Sequence, residues 1–252
     1  MANTTSRARR KKPPSRHGGI ILIFGIILVA LCASLFMRVE TITVSGNSQY
    51  SDELIITTSG LTAGGNLVFS KTGGAVRNLT TALPYVKSVK IRRVFPNGLV
   101  IAVTERAPLL SFAIDGTYWV AADDLVLLER YTEPQNGLIA VLGETPINPE
   151  IGQAFTFDDD RHKSKRDALN AVLNAITRAG LRDRVDSVDI GNLGQIKFVL
   201  DGHLTVKLGA STEADRKLAL VVDTLKKNND GANCDEFSVL DDLSGVLVKP
   251  KT

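Results

Sequence analysis

The chain has 252 residues, 44% hydrophobic and 23% charged, which excludes a chain disordered throughout and leaves room for one large domain or two modest ones beside an anchor. Its charge of +3 is uneven: Arg7, Arg9, Arg10, Lys11, Lys12 and Arg16 all precede the first acid, Glu40, and without those six the remaining 24 Lys and Arg face 27 Asp and Glu. The body is therefore slightly acidic and has no general electrostatic reason to bind nucleic acid.

Residues 1–17 are polar and basic, without apolar periodicity, and read as a disordered cytoplasmic tail. Residues 18–37, GGIILIFGIILVALCASLFM, carry no charge. Twenty helical residues span roughly 30 Å, the thickness of a bilayer's hydrocarbon core, and a helix satisfies its own backbone there. Arg9, Arg10, Lys11 and Lys12 on the N-terminal flank set the topology, with residues 1–17 inside and 38–252 outside: a single-pass type II membrane protein. A cleaved signal peptide is the weaker reading, because the run is long and its far end lacks a small-x-small site. A lipoprotein signal ending at Cys32 is weaker too, because Leu31 precedes that cysteine. Cys32 and Cys234 belong to different phases, so no internal disulfide is expected.

From Val39 to Val44 the chain is β-rich and stops at Gly46-Asn47. Ser51 ahead of Asp52 and Glu53 predicts a capped helix ending near Thr58, before Gly60. Thr72 starts a second helix with Val76, Leu79 and Leu83 on one face, ended by Pro84. Residues 86–94 predict a strand in which Arg92-Arg93 break the alternation, so that a bulge or the strand end is expected there. Pro96-Asn97-Gly98 is a turn, and Leu99, Ile101 and Val103 alternate on the next strand. The order is β-α-α-β-β.

Residues 108–252 form a second, α+β region. Asp115-Gly116 joins two strands, residues 125–128 and 138–142 are further strands, and Asp158 to Asp160 precede a helix that runs to about Arg178 with Leu169, Val172, Leu173 and Ile176 on its apolar face. Strands at 183–190, 195–200 and 204–208 follow. A helix from Thr212 to Lys227 then carries Leu218, Val221, Val222 and Leu225, and strands at 237–240 and 245–248 close the chain.

Val44-Ser45-Gly46-Asn47, Leu83-Pro84-Tyr85-Val86 and the stretch from Arg93 to Pro108, ending Glu105-Arg106-Ala107-Pro108, just after an apolar segment, resemble the POTRA domain of the bacterial cell-division FtsQ/DivIB family. Asp201-Gly202 with Val206-Lys207-Leu208-Gly209, then Lys217-Leu218, resemble that family's β-domain, whereas Asp241-Asp242-Leu243-Ser244 departs from it. The resemblance implies an α+β architecture: a transmembrane helix at 18–37, a POTRA domain at 38–107 and an FtsQ-type β-domain at 108–252. It also implies a divisome scaffold at the septum that binds FtsB-type and FtsL/DivIC-type coiled-coil partners, beside its contact with membrane lipid. An open sheet edge suits such a partner, and the last strand, with Ser244, Val246 and Val248, is the expected docking site.

No chemistry competes strongly with that reading. His17, His162 and His203 have no partners at metal-ligand spacing, and no nucleophile or phosphate-loop motif is present, so no cofactor and no enzyme are expected. Glu105-Arg106 reads as a salt-bridged or solvated strand end that helps set the hinge to the next domain, and Trp119 as core packing. The alternatives are an extracytoplasmic cell-wall enzyme and a POTRA-type module that binds extended polypeptides in transport.

Overall fold

The computed structural model describes residues 16–157, 162–227, 234–239 and 246–250, with side chains described at 19–32, 37–157, 164–227 and 234–239. The chain divides into two compact units. One comprises residues up to Leu79 together with Val89–Val103; the other comprises Thr80–Ser88 together with the residues from Thr104 onward. Arg9, Arg10, Lys11 and Lys12 lie outside the described residues.

The first unit begins with α1 (Arg16–Phe36), a helix of 21 residues whose described side chains, at 19–32, are all exposed. Among the described residues no helix is long and apolar enough to cross a membrane.

A three-stranded sheet follows, in the order β1 (Thr41–Ser45), β3 (Gly98–Glu105), β2 (Val86–Val94). β1 runs parallel to β3, with Ile42 opposite Leu99 and Val44 opposite Ile101. Two helices, α2 (Asp52–Ser59) and α3 (Thr72–Ala82), separate β1 from β2. The expected cap is present: the Ser51 hydroxyl accepts from the Leu54 amide, satisfying one of the donors a helix start leaves open, and Gly60 closes the helix at φ +71°. Of the expected face, Leu79 and Leu83 are buried, whereas Val76 is half-buried and Ala75 takes its place, and Thr72 lies within the helix. Ile55, Leu67, Leu79, Leu99 and Ile101 are among the fully buried side chains of this unit. β2 does not stop at Arg92-Arg93: both are exposed, and Arg93 donates through Nε to the Leu67 carbonyl (2.8 Å) and through Nη2 to that of Ser70 (3.0 Å). The arginines break the alternation because they serve neighbouring carbonyls and solvent, not because the strand ends.

The second unit is built on nine strands: β4 (Pro108–Ile114), β5 (Thr117–Ala122), β6 (Leu127–Tyr131), β7 (Ile139–Leu142), β10 (Val185–Asp189), β11 (Ile196–Leu200), β12 (Leu204–Gly209), β13 (Cys234–Val239) and β14 (Val246–Pro250). Their order in space is β14-β13-β12-β11-β10-β7-β4-β5-β6. Hairpins join β4 to β5 and β11 to β12 through Asp115-Gly116 and Asp201-Gly202, and all four turn residues have positive φ. β7 lies between β4 and β10 and is parallel to both, and β13 is parallel to β12. Here the sheet departs from a run of hairpins.

Two helices supply the apolar partner for one face. α4 (His162–Arg178) contributes Leu169, Val172, Leu173 and Ile176, and α5 (Ala214–Lys227) contributes Leu218, Val221 and Leu225. They share a core with the inward positions of the strands, such as Phe198, Leu200, Val206, Leu208 and Phe237. Phe112, Phe155 and Phe157 add an aromatic cluster with centroids 4.7 to 6.5 Å apart. The intervening positions Lys197, Val199, Thr205, Lys207, Glu236 and Ser238 are exposed or half-buried, so the opposite face is polar. α4 ends as its sequence requires: Gly180 at φ +71° lets its own amide reach Thr177 and the Leu181 amide reach Ile176.

Two expectations need correction, and one element was not foreseen. Leu125 is in a turn at φ +64°, and the strand begins at Leu127, because the Leu125 amide bonds back to Ala122 instead of entering the ladder. Residues 182–184 form a 3-10 turn ahead of β10, with the Arg184 amide bonded to the Leu181 carbonyl. A small two-stranded sheet, β8 (Pro146–Ile147) with β9 (Thr156–Phe157), has no periodic signal of its own. Asp158–Asp160, expected just ahead of the helix, lie outside the described residues.

Candidate partner-docking edge

The last strand lies at the edge of the nine-stranded sheet. β14 pairs antiparallel with β13, with Val246 opposite Val239, Leu247 opposite Ser238 and Val248 opposite Phe237. β13 is in turn fixed to β12, with Val206 opposite Phe237. Phe237 and Val239 are anchored in the core at 1% and 7% exposure, which positions the backbone that β14 follows. On the polar side Lys207 Nζ lies 2.8 Å from Glu236 and the Ser238 hydroxyl 3.3 Å from the same carboxylate. Of the three expected docking residues, Val246 and Val248 are thus on one edge strand, two residues apart, and Ser244 lies outside the described residues.

Beside this edge the polar face carries a cleft of about 590 Å³, lined by Asp189, Lys197, Lys207 and Ser238 among others. These residues form a row across neighbouring strands, since Asp189 pairs with Lys197, Lys197 with Lys207, and Lys207 with Ser238. Lys197 Nζ is 3.3 Å from Asp189. The charges are paired with one another and form a mixed, solvated surface rather than a field of one sign.

The opposite edge, β6, is partly covered. The Leu127 amide donates to Gln153, and the Leu127 carbonyl accepts from Gly152. The backbone that an edge strand would offer is consumed at that position by the loop ahead of β9.

Catalytic and metal chemistry find little here. Among the described residues no three His, Cys, Asp or Glu side chains are placed to hold a metal. Cys32 and Cys234 are free thiols. The side chains of His17 and His162 lie outside the described ones, and His203, half-buried, has Nδ1 2.9 Å from the Asp201 carbonyl at a hairpin turn. Arg184 forms a close ion pair with Asp201 (2.6 Å), and this guanidinium holds the Asp201 carboxyl below the usual carboxylate range, against the opposing effect of burial. Trp119 is half-buried, packed against the core on one side with the Arg130 guanidinium 5.8 Å from its ring on the other.

Two polar groups do more than the sequence announces. Arg106, expected at a salt-bridged strand end, donates through Nη1 to the carbonyls of Pro84 and Val86, each at 2.7 Å, and through Nε to Asp124 at 2.8 Å. All these residues belong to the second unit. Lys217, 2% exposed, sends its ammonium to the Ala210 carbonyl at 2.9 Å. Its sequence signals are the Lys217-Leu218 resemblance and a lysine on the apolar side of the α5 pattern, and neither announces the carbonyl it meets.

Comparison with known proteins bears on the chain twice. Residues 37–106 match the family model of the FtsQ-type POTRA domain. The "Cell division protein DivIB" of Clostridium botulinum (strain Hall) is 28% identical over 90% of this chain and 89% of its own length. The "Cell division protein FtsQ" of Streptomyces coelicolor is 27% identical over 91% of this chain and 88% of its own. That of Corynebacterium glutamicum is 22% identical over 88% and 94%. The POTRA match coincides with the β-α-α-β-β region, and the relatives extend through the nine-stranded unit. The chain is thus similar along about 90% of its length to bacterial proteins named FtsQ and DivIB, and it matches the FtsQ-type POTRA domain over residues 37–106.

Proposed function

We propose that the chain is a non-enzymatic scaffold of the bacterial divisome that binds other division proteins and supports septal cell-wall synthesis. What carries this reading is similarity along nearly the whole chain, POTRA region and nine-stranded unit together, to proteins named for cell division and not for a reaction. The finer parts of the proposal are these. Residues 18–37 anchor the chain in the cell membrane, Arg9, Arg10, Lys11 and Lys12 keep the N-terminus cytoplasmic, and residues 38–107 and 108–252 work outside as two domains at the septum. The uncharged run at residues 18–37, with a helix at Arg16–Phe36 whose side chains at 19–32 are exposed, supports the anchor. The partners are FtsB-type and FtsL/DivIC-type proteins, and one of them adds a strand to β14 along Ser244, Val246 and Val248. The edge position of β14 supports that site.

The test is capture of the FtsB-type partner by the full chain from solubilised membranes, compared with Val246→Pro and Leu247→Pro made separately. Successive residues of an edge strand aim their N–H groups alternately inward and outward. One proline therefore removes an outward donor and the other a bond to β13. A lost outward bond with the steric clash of the ring costs about 1.5–3 kcal/mol, a tenfold loss of affinity or more. One variant should lose the partner while its Trp119 fluorescence is unchanged. Binding equal to wild type in both removes β14 as the dock, and a wild-type chain that captures no division protein removes the scaffold.

A further inference from the structure

Outside α1, seven large apolar side chains are exposed among the described residues: Leu54, Val68, Phe69, Val94, Phe95, Leu142 and Ile151. Four of the seven gather at one tip of the first unit. Phe69 is 68% exposed and Phe95 62%, with Val68 and Val94 beside them in sequence. Hydrogen bonds hold the two segments together, since Arg93 donates to the Leu67 and Ser70 carbonyls that bracket Val68 and Phe69. The Asn66 side chain accepts from the Val68 and Phe69 amides and fixes the loop that presents them.

This tip is also where α1 ends. The helix stops at Phe36, and the very next carbonyl, that of Met37, accepts from the Leu67 amide at 2.9 Å. Val39 exchanges backbone bonds with Gly64 and Gly65, and the Glu40 amide reaches the Asn97 carbonyl at 2.8 Å. Loop 64–70 and hairpin tip 93–98 are thus tied to the four residues that follow the apolar helix. Arg38, Lys71, Arg92 and Arg93 are exposed around them, and Glu40 is the one acid within residues 37–40, 64–71 and 92–98.

We propose that this tip seats on the bilayer. Phe69 and Phe95, flanked by Val68 and Val94, enter the boundary between headgroups and acyl chains beside the anchor, and Arg38, Lys71 and Arg92 lie over the lipid phosphates. The occupant is a phospholipid surface, because the patch is continuous with the helix end, pairs aromatic and aliphatic tips with basic side chains, and is held rigidly there. Seating gives the first unit a second contact with the membrane beside the helix, and two contacts fix its tilt. The inference rests on the anchor reading above.

The test uses the full chain reconstituted in vesicles of phosphatidylethanolamine and phosphatidylglycerol, with Trp119→Phe removing the native tryptophan. Single tryptophans are then introduced by Phe69→Trp, Phe95→Trp, Phe24→Trp and Leu54→Trp. Phe24 lies in α1, and Leu54 is an exposed apolar residue in α2, after β1 has run away from the tip. Acyl chains brominated near the headgroup should cut emission from positions 69 and 95 at least about twofold, because rings set roughly 5–10 Å into the boundary meet the bromines. Position 54 should be unaffected. Quenching at 24 with none at 69 and 95, or equal quenching at 54, overturns the seating and leaves the anchor standing. No quenching at 24 overturns the anchor and the seating with it.

Discussion

Replacing Arg106 should destabilise the second unit more than any surface ion pair in the molecule. Its guanidinium meets three acceptors at once: Asp124 at 2.8 Å and the Pro84 and Val86 carbonyls at 2.7 Å each. The side chain is only 14% exposed and that of Asp124 28%. Arg106→Ala leaves a carboxylate and two carbonyls poorly hydrated and without this donor. Bonds to a charged donor contribute about 1.5–3 kcal/mol each, and breaking a buried pair from one side costs about 3–5 kcal/mol, but water can return to a partly open site. The expected cost is therefore about 2–4 kcal/mol. Arg106→Lys keeps the charge but cannot aim one ammonium along all three directions, and should cost about 1–2 kcal/mol. Trp119 is the single tryptophan and lies in β5, so its fluorescence in urea reports on this unit without assuming that the whole chain unfolds in one step. With a slope of about 2 kcal/mol per molar urea, Arg106→Ala should lower the midpoint by about 1–2 M. A midpoint within about 0.25 M of wild type, or Arg106→Lys equal to wild type, would refute the three-acceptor account.

Gly143→Ala should cost about 2–4 kcal/mol, because a Cβ at φ +80° would lie 2.5 Å from both Asp189 Oδ1 and the Gly191 amide nitrogen. Gly180→Ala, with φ +71° but open space around it, should cost only about 1–2 kcal/mol, and equal urea midpoints for the two would show that the close approach is not felt. The Asp201 carboxyl is held low by Arg184, so the pair's stabilisation is present above the unfolded carboxylate range and is lost as pH falls through the folded value. Since both side chains are about one-third exposed, Arg184→Gln should cost about 0.2–1 kcal/mol at pH 7. Its deficit against wild type should shrink in urea titrations taken from pH 7 towards pH 3, and a deficit that grows in acid would reverse the assignment.

Local signals account for most of the elements and their ends. Ser51 and Gly60 bound α2, Gly180 ends α4, and Asp115-Gly116 and Asp201-Gly202 make their hairpins, because capping and tight turns are decided by a few neighbouring dihedrals. The alternation of Leu99, Ile101 and Val103 and the helical spacing of Leu169, Val172 and Ile176 foretell which faces are buried, since each follows the period of its own element. The resemblance to FtsQ/DivIB proteins was legible for a related reason: its marks, Val44 to Asn47 and Glu105 to Pro108, are short and contiguous in the chain.

What the chain could not announce is how distant segments meet. Nothing in 139–142 says that β7 inserts between β4 and β10, nor does Cys234–Val239 say that it runs parallel to β12 and leaves β14 at the edge. Arg106 reads locally as one half of a charged pair, and only the fold brings the Pro84 and Val86 carbonyls and Asp124 to it. Exposed Phe69 and Phe95, 26 residues apart, become one patch only because Arg93 and the chain after α1 draw their loops together. Periodicity and caps are properties of neighbours in sequence. Edges, clamps and patches are properties of neighbours in space, and they exist only once the core has chosen which strands lie side by side.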